Sequence, residues 1–431
     1  MRINQWQWDK ISESEKAAIL SRSHEDIEAV RESVTKIISC VKAQGDKALY
    51  EFSKTLDNCD LGDLPLRVSQ EEINQAGSLI SDNLKKAIKF AITNIQKFHS
   101  RQKLEDLPLE EVAPGIYASE KATPIESVAI YVPNGRGSFP SMLYMAAIPA
   151  IIAKVKRIVV TSPPTSNKTI DPATLYCCSL LGIDEVYRIG GAQAIAAFAY
   201  GTESIKPCVK ITGPGSKYVT AAKRILYGQV DVGIPAGPSE SIVLADESAD
   251  PYLVALDLLT EAEHGSDSAA LLITPSSKLA QDVAKEIEAQ LDGIGEPRKK
   301  FILDVLSGYG GIITTSSMEE AISLVNQIAT EHLQLAVKDP AKIERHITNA
   351  GEIILGQTPF SAANYLLGPN AILPTSGNAK SFSPLSVRDF CKFSSIIKVS
   401  EEGLKSAKDH VIALSDYEGF QTHKNAVMLR K

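Results

Sequence analysis

Two kinds of hydrophobic pattern divide the chain near residue 124. Before that point, apolar residues recur every three or four positions between charged ones, most clearly over residues 26–41 and 70–99. This spacing places the apolar side chains on one face of a helix. The sequence therefore predicts that about the first 110 residues are mainly helical.

After Pro124 the apolar residues come in short runs rich in Val and Ile, each closed by Gly or Pro and followed by a helix-like segment. The first series of runs is Ser127–Val132, Arg157–Thr161, Glu185–Ile189 and Val209–Thr212. The second series is Ser241–Ala245, Ala270–Thr274, Gly311–Thr314, Leu333–Val337 and Glu352–Leu355. Strands that alternate with helices form parallel sheets covered by helices. The sequence therefore predicts an α/β protein with two such units.

The Gly- and Pro-rich segment 233–238 lies between the two series and is the expected crossing point between the sheets. Residues 125–235 form one predicted unit and residues 236–380 the other, onto which we expect the helical residues 25–124 to pack. The ends of the chain are expected to add a helical arm, residues 1–24, and a tail, residues 381–431. This tail contains one more predicted strand, Ser395–Val399, and two helical pieces. A chain of 431 residues is long enough for two or three compact units.

Composition and charge exclude several classes of protein. The net charge is −7 and no Lys/Arg run stands out, so a nucleic-acid partner is not expected. The N-terminus lacks the apolar core of a secretion signal. The longest apolar stretch, Met142–Ala153, is interrupted by Pro149 and falls short of the ~20 residues that span a bilayer. We therefore expect a soluble, cytoplasmic protein without a membrane partner.

Six cysteines are scattered along the chain without a C-x-x-C pair, at Cys40, Cys59, Cys177, Cys178, Cys208 and Cys391. This usage is too sparse for a disulfide scaffold, and a zinc site of four thiolates is not expected. The cysteines are predicted to be reduced and buried.

Three glycine-containing turns follow predicted strands and lead into helices: Pro133–Gly137, Gly190–Gln193 and Gly213–Ser216. Glycine lets a ligand approach the backbone, and the first amides of a helix attract phosphate. None of the turns is a full G-x-G-x-x-G motif with an acidic residue about 20 positions later. Each alone is more often an ordinary strand-to-helix turn, but three on the carboxyl side of parallel strands favour a dinucleotide crevice.

Four of the seven histidines, His24, His99, His346 and His410, lie in charged helical stretches and are expected to be solvated. The other three lie beside acidic residues.

His264 closes a predicted helix that Asp250 and Pro251 can begin and Gly265 can end. Glu261 is three positions earlier, so both side chains project from one face, which is half of a metal site. The alternative is a chance pair on the surface.

Glu331 and His332 lie at a junction between a helix and a strand, where an adjacent acid and imidazole can act as base and acid. The alternative is a solvent-facing helix end. His423 follows Glu418 by five positions near the end of the chain. Such a histidine is usually on the surface unless a partner holds the tail.

Seven segments in order, from about Phe98 to the C-terminus, resemble the histidinol dehydrogenase family. They are Tyr131-Val-Pro-Asn-Gly, Gly190-Gly-Ala-Gln-Ala-Ile-Ala-Ala, Pro235-Ala-Gly-Pro-Ser-Glu, Glu261-Ala-Glu-His-Gly, Thr330-Glu-His-Leu, Leu373-Pro-Thr and Glu418-Gly-Phe-Gln-Thr-His. The resemblance implies two Rossmann-like domains with an architecture related to aldehyde dehydrogenases. Residues 25–124 and 236–380 would form the domain with the metal and catalytic residues, and residues 125–235 the NAD-binding domain. It also implies a homodimer in which the C-terminal tail crosses into the partner's active site.

The resemblance further implies a reaction, the oxidation of L-histidinol through L-histidinaldehyde to L-histidine with reduction of two NAD, and one zinc ion per subunit. By matching position, the implied zinc ligands are Glu261, His264, Asn364 and His423. Glu331 is implied to be the general base and His332 its acid/base partner. Ser239 and Glu418 would contact the substrate together with His332 and the zinc ligands. Tyr131, Gln193 and Ser216 would line the NAD site.

Four positions depart from the family pattern. Glu261 replaces a glutamine and Asn364 an aspartate, so a carboxylate and an amide have exchanged places and the site keeps one negative charge. Because zinc accepts both oxygen donors, we expect the metal site to survive. Ser216 replaces an asparagine but can still form a hydrogen bond. Ala371 removes an active-site histidine, which affects the expected rate and substrate.

Three alternatives follow. One is a relative on the same scaffold that oxidises another small alcohol, which the change at Ala371 favours. Another is a non-catalytic zinc-binding or scaffolding protein, against which Glu331, His332 and Glu418 together argue. An ordinary aldehyde dehydrogenase would need a thiol nucleophile in a recognisable setting, and none of the cysteines offers one.

Overall fold

The computed structural model describes residues 3–21, 27–134 and 137–430. Its strands are β1 (Gln5–Gln7), β2 (Glu110–Ala113), β3 (Ile116–Pro124), β4 (Ser127–Tyr131), β5 (Arg157–Thr161), β6 (Val186–Tyr187), β7 (Lys210–Thr212), β8 (Glu240–Ala245), β9 (Ala269–Thr274), β10 (Gly311–Thr314), β11 (His332–Ala336), β12 (Glu352–Leu355) and β13 (Cys391–Val399).

The α-helices are α1 (Glu13–Leu20), α2 (Glu28–Gln44), α3 (Asp46–Thr55), α4 (Gln70–Gln75), α5 (Asp82–His99), α6 (Pro140–Ile152), α7 (Pro172–Leu181), α8 (Gly191–Tyr200), α9 (Lys217–Leu226), α10 (Pro251–Ala262), α11 (Ser277–Gln290), α12 (Arg298–Ser307), α13 (Met318–Ile328), α14 (Pro340–Glu344), α15 (Phe360–Tyr365), α16 (Glu401–Glu418) and α17 (Gln421–Met428).

Two parallel sheets form the centre of the fold. One has the strand order β6-β5-β4-β7 and the other β1-β10-β9-β8-β11-β12. All nine predicted runs between residues 127 and 355 are strands of these sheets, shifted by two residues at most. Strands such as β4 and β8 are buried along their whole length. A strand that is covered on both faces needs a continuous apolar run, which is why these strands could be predicted. The predicted mixed α/β fold with parallel sheets is confirmed.

Helices α2 to α5 pack on the four-stranded sheet, so the prediction that the helices of residues 25–124 pack on the second unit is wrong, whereas α1 packs with the larger sheet. The apolar face of α2 packs against α8 and α9 on one side of that sheet. On the other side α5 packs against α6, and α4 against α7. The four-stranded sheet therefore carries a second helical layer on each face. Amphipathic spacing predicts that a helix buries one face, but it does not say against which sheet.

Three strands, β1, β2 and β3, were not predicted from the sequence pattern. Within residues 3–21, the described part of the arm, β1 pairs with β10 at the edge of the larger sheet, and α1 is the one helix. Strands β2 and β3 form an antiparallel sheet with β13, in the order β13-β3-β2. Both strands contain charged, partly exposed residues, so they lack a clear apolar signature. The predicted tail of one strand and two helices is confirmed as β13, α16 and α17.

His99 is fully buried, which corrects the prediction that it is solvated. Its Nδ1 lies 2.7 Å from Gln102 Oε1, and its Nε2 lies 3.5 Å from the amide nitrogen of Asn370. These polar neighbours compensate for the loss of water. His24 lies outside the described residues.

All six cysteines are free, and four of them are buried. Over the described ranges, no helix combines the length and the apolar character needed to cross a bilayer.

Candidate active site

A cavity of about 1270 Å³ lies between the two parallel sheets. The carboxyl ends of β4, β6 and β7 contribute the predicted turns from one side. The amino ends of β8 and β11 contribute residues from the other. The predicted site residues that line the cavity are Tyr131, Gln193, Ser216, Ser239, His264, Glu331, His332 and Asn364. Typical small-molecule sites measure about 300–1,000 Å³, so this cavity has room for a dinucleotide and a small substrate together.

The dinucleotide half of the cavity is built by close contacts between the turns. The hydroxyl of Tyr131 accepts a hydrogen bond of 3.1 Å from the Gly191 N–H. Gly213 has φ +107°, and a Cβ there would collide with the carbonyl oxygen of Tyr131. The buried Nζ of Lys223 donates a hydrogen bond to the carbonyl oxygen of Gly213. Ser216 is the exposed residue that precedes α9. These contacts fix backbone amides at the start of two helices, an arrangement that suits phosphate.

Gln193 faces Asp57, a cavity residue that the sequence did not indicate. The Gln193 amide nitrogen donates to Asp57 Oδ2 over 3.2 Å. The amide oxygen of Gln193 is buried and has no hydrogen-bond partner among the described residues. Asp57 lies just after α3, far from the glycine turns in sequence, so no local signal could identify it.

Glu331 and His332 form a buried acid–imidazole pair at the start of β11. Glu331 Oε2 accepts a hydrogen bond of 3.0 Å from the backbone N–H of Glu240. Glu331 Oε1 lies 3.7 Å from Nε2 of His332. Burial raises the pKa of Glu331, and His332 only partly opposes this shift. Burial lowers the pKa of His332, but the surrounding carboxylates, first Glu331 and then Glu352 and Glu261, outweigh it and raise the pKa overall. Because both side chains are buried, the alternative of a solvent-facing helix end does not apply, and the arrangement suits an acid/base pair.

Glu352 holds the other side of the His332 ring, and the sequence analysis missed it. Its Oε1 lies 2.6 Å from Nδ1 of His332, and both side chains are largely buried. The two residues are register partners on the parallel strands β11 and β12. An ionised carboxylate can only accept, so Nδ1 carries a proton, and when the ring is neutral Nε2 presents its lone pair toward Glu331.

Glu261, His264 and Asn364 meet at the end of α10. Asp250 and Pro251 begin this helix as predicted, but it ends at Ala262, so His264 lies in the turn just after it. His264 Nδ1 lies 3.7 Å from Glu261 Oε2. The Asn364 amide nitrogen, from α15, donates to Glu261 Oε1 over 2.9 Å.

Two oxygens of this cluster, Glu261 Oε2 and Asn364 Oδ1, are buried with no hydrogen-bond partner among the described residues. Buried polar atoms normally have a partner, so these two oxygens leave room for a cation. Within the same ranges no group of three or more His, Cys, Asp and Glu side chains is arranged around a metal position. The cluster itself holds two such residues and an amide. Two oxygens and an imidazole are a donor set that zinc accepts, so the residues fit the metal.

Glu418 and His423 are not brought to this cavity within one chain. Both lie exposed on α16 and α17, and His423 stacks near Phe420 with ring centroids 4.9 Å apart. Neither contributes to the cavity lining. The predicted fourth zinc ligand and one predicted substrate contact are therefore separate from the others in the single chain.

Ala371 lines the cavity where the family pattern has a histidine. Beside it, the side chain of Asn370 donates to the carbonyl of Met145 over 2.6 Å and accepts from the Ile372 N–H over 2.9 Å. The backbone at this position is thus firmly held, and the methyl group of Ala371 leaves space instead of an imidazole.

Comparisons with known proteins agree with this geometry. The model of the family described as histidinol dehydrogenase matches residues 20–431. A Synechocystis protein named histidinol dehydrogenase is 46% identical over 411 residues, covering 95% of each chain. A Rhizobium meliloti protein named histidinol dehydrogenase homolog is also 46% identical, covering 99% of this chain and 94% of the relative. The crystal structure of histidinol dehydrogenase from Elizabethkingia anophelis superposes with a TM-score of 0.93 at 36% identity, over 99% of this chain and 97% of that one. The chain belongs to the histidinol dehydrogenase family.

Proposed function

We propose that the protein is a zinc-dependent histidinol dehydrogenase that oxidises L-histidinol through L-histidinaldehyde to L-histidine and reduces two NAD. The observation that carries this proposal is the buried Glu352–His332–Glu331 array, which lies in one cavity with the glycine turns and the Glu261–His264–Asn364 cluster. An acid/base pair, a dinucleotide crevice and a metal-ligand cluster are the parts that such a reaction needs. Relatives that carry this name at 46% identity support the assignment.

The chain's own residues supply proton transfer and orientation. Nε2 of His332 takes the proton of the alcohol in the first oxidation. Glu331 takes a proton from the water that hydrates the bound aldehyde, which prepares the second oxidation. Glu261, His264 and Asn364 would hold zinc, which would orient the alcohol, and NAD would supply the hydride acceptor. Tyr131, Gln193 and Ser216 would line the NAD site.

A homodimer would complete the site. Glu418 and His423 belong to a tail whose side chains are largely exposed, including Tyr417 at 93% and Leu429 at 81%. Such exposed apolar residues on the last two helices favour burial against a second copy. The tail of one subunit would then provide His423 to the zinc ligands of its partner and Glu418 to the substrate.

Mixing inactive variants tests the shared site. Glu331→Gln and His423→Ala each inactivate all sites of their own homodimer. A mixed dimer contains one site with both substitutions and one site with neither, so co-refolded variants should recover a fraction of the wild-type activity. A mixture that stays inactive while it forms dimers would contradict the exchange of tails.

The test of the activity is NADH production from L-histidinol. The expected yield is two NADH per substrate. Activity should be lost after dialysis against a chelator and restored by added zinc. A yield of one NADH, or full activity in the metal-free protein, would contradict the proposal.

The second candidate function is oxidation of another small alcohol on the same scaffold. The space at Ala371 and the exchange of carboxylate and amide between Glu261 and Asn364 favour it, since both alter groups next to the substrate. A panel of amino and sulfonated alcohols, assayed beside histidinol for NADH formation, separates the two. A higher kcat/KM for another alcohol would favour the second function.

A further inference from the structure

Asp57 lies where the protein would meet the nucleotide. It lines the same cavity as Tyr131, Gly191 and Gln193, in the half bounded by the glycine turns. Its carboxylate accepts hydrogen bonds from the Gln193 side chain, over 3.2 Å, and from the backbone N–H of Gly190. Asp57 follows α3, which belongs to the outer helical layer on the four-stranded sheet. That layer therefore reaches the cavity and contributes an acidic group to it.

The chemistry of this position points to a ribose. In dinucleotide crevices, a carboxylate accepts hydrogen bonds from the ribose hydroxyls of NAD and repels the 2′-phosphate of NADP. None of the glycine turns forms a full G-x-G-x-x-G motif, and Asp231, 18 positions after Gly213, already forms an ion pair of 2.7 Å with Lys210. Asp57 supplies a carboxylate to the same region from an earlier part of the chain.

A second observation supports a ligand here. The side chain of Gln193 is almost fully buried, and its amide oxygen finds no hydrogen-bond partner within the described part of the chain. An unpaired buried acceptor costs stability, so such a group usually has a partner in the functional state. Asp57 and Gln193 together offer two neighbouring acceptors, and the two hydroxyls of a ribose are two neighbouring donors.

We propose that Asp57, positioned by Gln193 and Gly190, binds the ribose hydroxyls of the dinucleotide and makes the protein select NAD over NADP. This inference rests on the proposed use of NAD and names a residue that determines its specificity.

The test compares binding of NAD and of NADP to the wild-type protein and two variants by isothermal titration calorimetry, without an alcohol substrate. Asp57→Asn removes the charge and keeps the shape. Asp60→Asn is the matched control, because Asp60 is an exposed carboxylate on the same loop, paired with Lys54 over 2.9 Å, and does not line the cavity. Circular dichroism checks that each variant is folded, and Asp57→Ser provides a second removal of the charge.

Wild type should bind NAD more tightly than NADP. In Asp57→Asn and Asp57→Ser the ratio of the two dissociation constants should shift toward NADP by about tenfold or more, the size expected for a charged hydrogen bond. Asp60→Asn should keep the wild-type ratio. If Asp57→Asn keeps this ratio as well, the role of Asp57 is refuted and the use of NAD stands. If the wild type binds neither nucleotide, the proposed cofactor is refuted together with it.

Discussion

Replacing Glu352 with glutamine tests how the acid/base pair is held. The carboxylate accepts from Nδ1 of His332 at 2.6 Å in a largely buried place. The side-chain oxygen of a glutamine can accept the hydrogen bond from Nδ1, but it carries no charge. Alternatively, the side-chain nitrogen donates to Nδ1, which places the ring proton on Nε2. In both cases His332 becomes a poorer base on the side that faces Glu331. The variant therefore probes orientation and charge together without removing the imidazole.

The size of the effect follows from the bond that is lost. A hydrogen bond to a charged group contributes about 1.5–3 kcal/mol. Since about 1.4 kcal/mol corresponds to tenfold in rate, kcat should fall roughly 10- to 100-fold. KM for the alcohol should change little, because Glu352 does not line the cavity.

The pH dependence of activity distinguishes an electrostatic role of Glu352 from a merely structural one, which would leave that dependence unchanged. His332 must be neutral to take a proton, and the neighbouring carboxylates raise its pKa, so activity should fall as the pH drops through that raised value. Removing the charge of Glu352 lowers the pKa of His332, which should move the acid limb of kcat/KM to lower pH. Steady-state kinetics from pH 6 to pH 10, with zinc content measured in parallel, check both effects.

Glu344→Gln, on the surface helix α14, is the control and should behave like wild type. Glu352→Asp keeps the charge and should retain the position of the acid limb even if its shorter side chain lowers kcat. An unchanged kcat and an unchanged acid limb in Glu352→Gln would refute the argument.

Three further predictions concern the metal, the substrate and the dinucleotide. Glu261→Gln removes the carboxylate of the metal cluster and should weaken zinc binding sharply, whereas the double variant Glu261→Gln/Asn364→Asp should restore it. Calorimetric titration with zinc measures both affinities. If the double variant binds zinc no more tightly than the single variant, the idea that the two residues have exchanged roles is wrong. Ala371→His fills the space left in the cavity and should raise kcat/KM for histidinol relative to other small alcohols, which a panel assay measures. Lys223→Met removes the donor to the Gly213 carbonyl and should weaken NAD binding by about tenfold, as measured by titration with NAD, with zinc content unchanged.

The sequence predicted those parts of the fold that burial imposes locally. Strand β5 was predicted to the residue at Arg157–Thr161, because a parallel strand between two helical layers needs an apolar centre, which Ile158–Val160 supply. By contrast, β3 is partly exposed along its whole length and contains Glu120 and Lys121, so its hydrophobic signal is weak. The helices α2 and α5 were predicted as helices but assigned to the wrong sheet, since periodicity carries no information on which surface covers the apolar face.

The candidate site was predictable only where neighbours in sequence are also neighbours in space. Glu331 with His332, and Glu261 with His264, are such pairs, although the resemblance rather than the spacing assigned their roles. The contact of Glu352 with His332 depends on the register of two parallel strands, in which the paired residues are 20 positions apart in sequence. The sequence pattern does not give this register, so it could not identify the pair. Asp57 depends on where an outer helix layer meets the glycine turns.

The acidic groups around His332 form one electrostatic unit with the divalent ion that Glu261 is proposed to bind. Glu331, Glu261 and Glu352 all surround the imidazole of His332, and burial together with Glu261 raises the pKa of Glu331. Buried like charges are tolerated only when cations compensate for them. A divalent ion held by Glu261 would supply that compensation and oppose the part of the pKa rise of Glu331 that Glu261 causes, while burial remains the larger cause. The carboxylate that the exchange between Glu261 and Asn364 conserves would therefore hold the metal and, through the metal, also influence the charge state of Glu331.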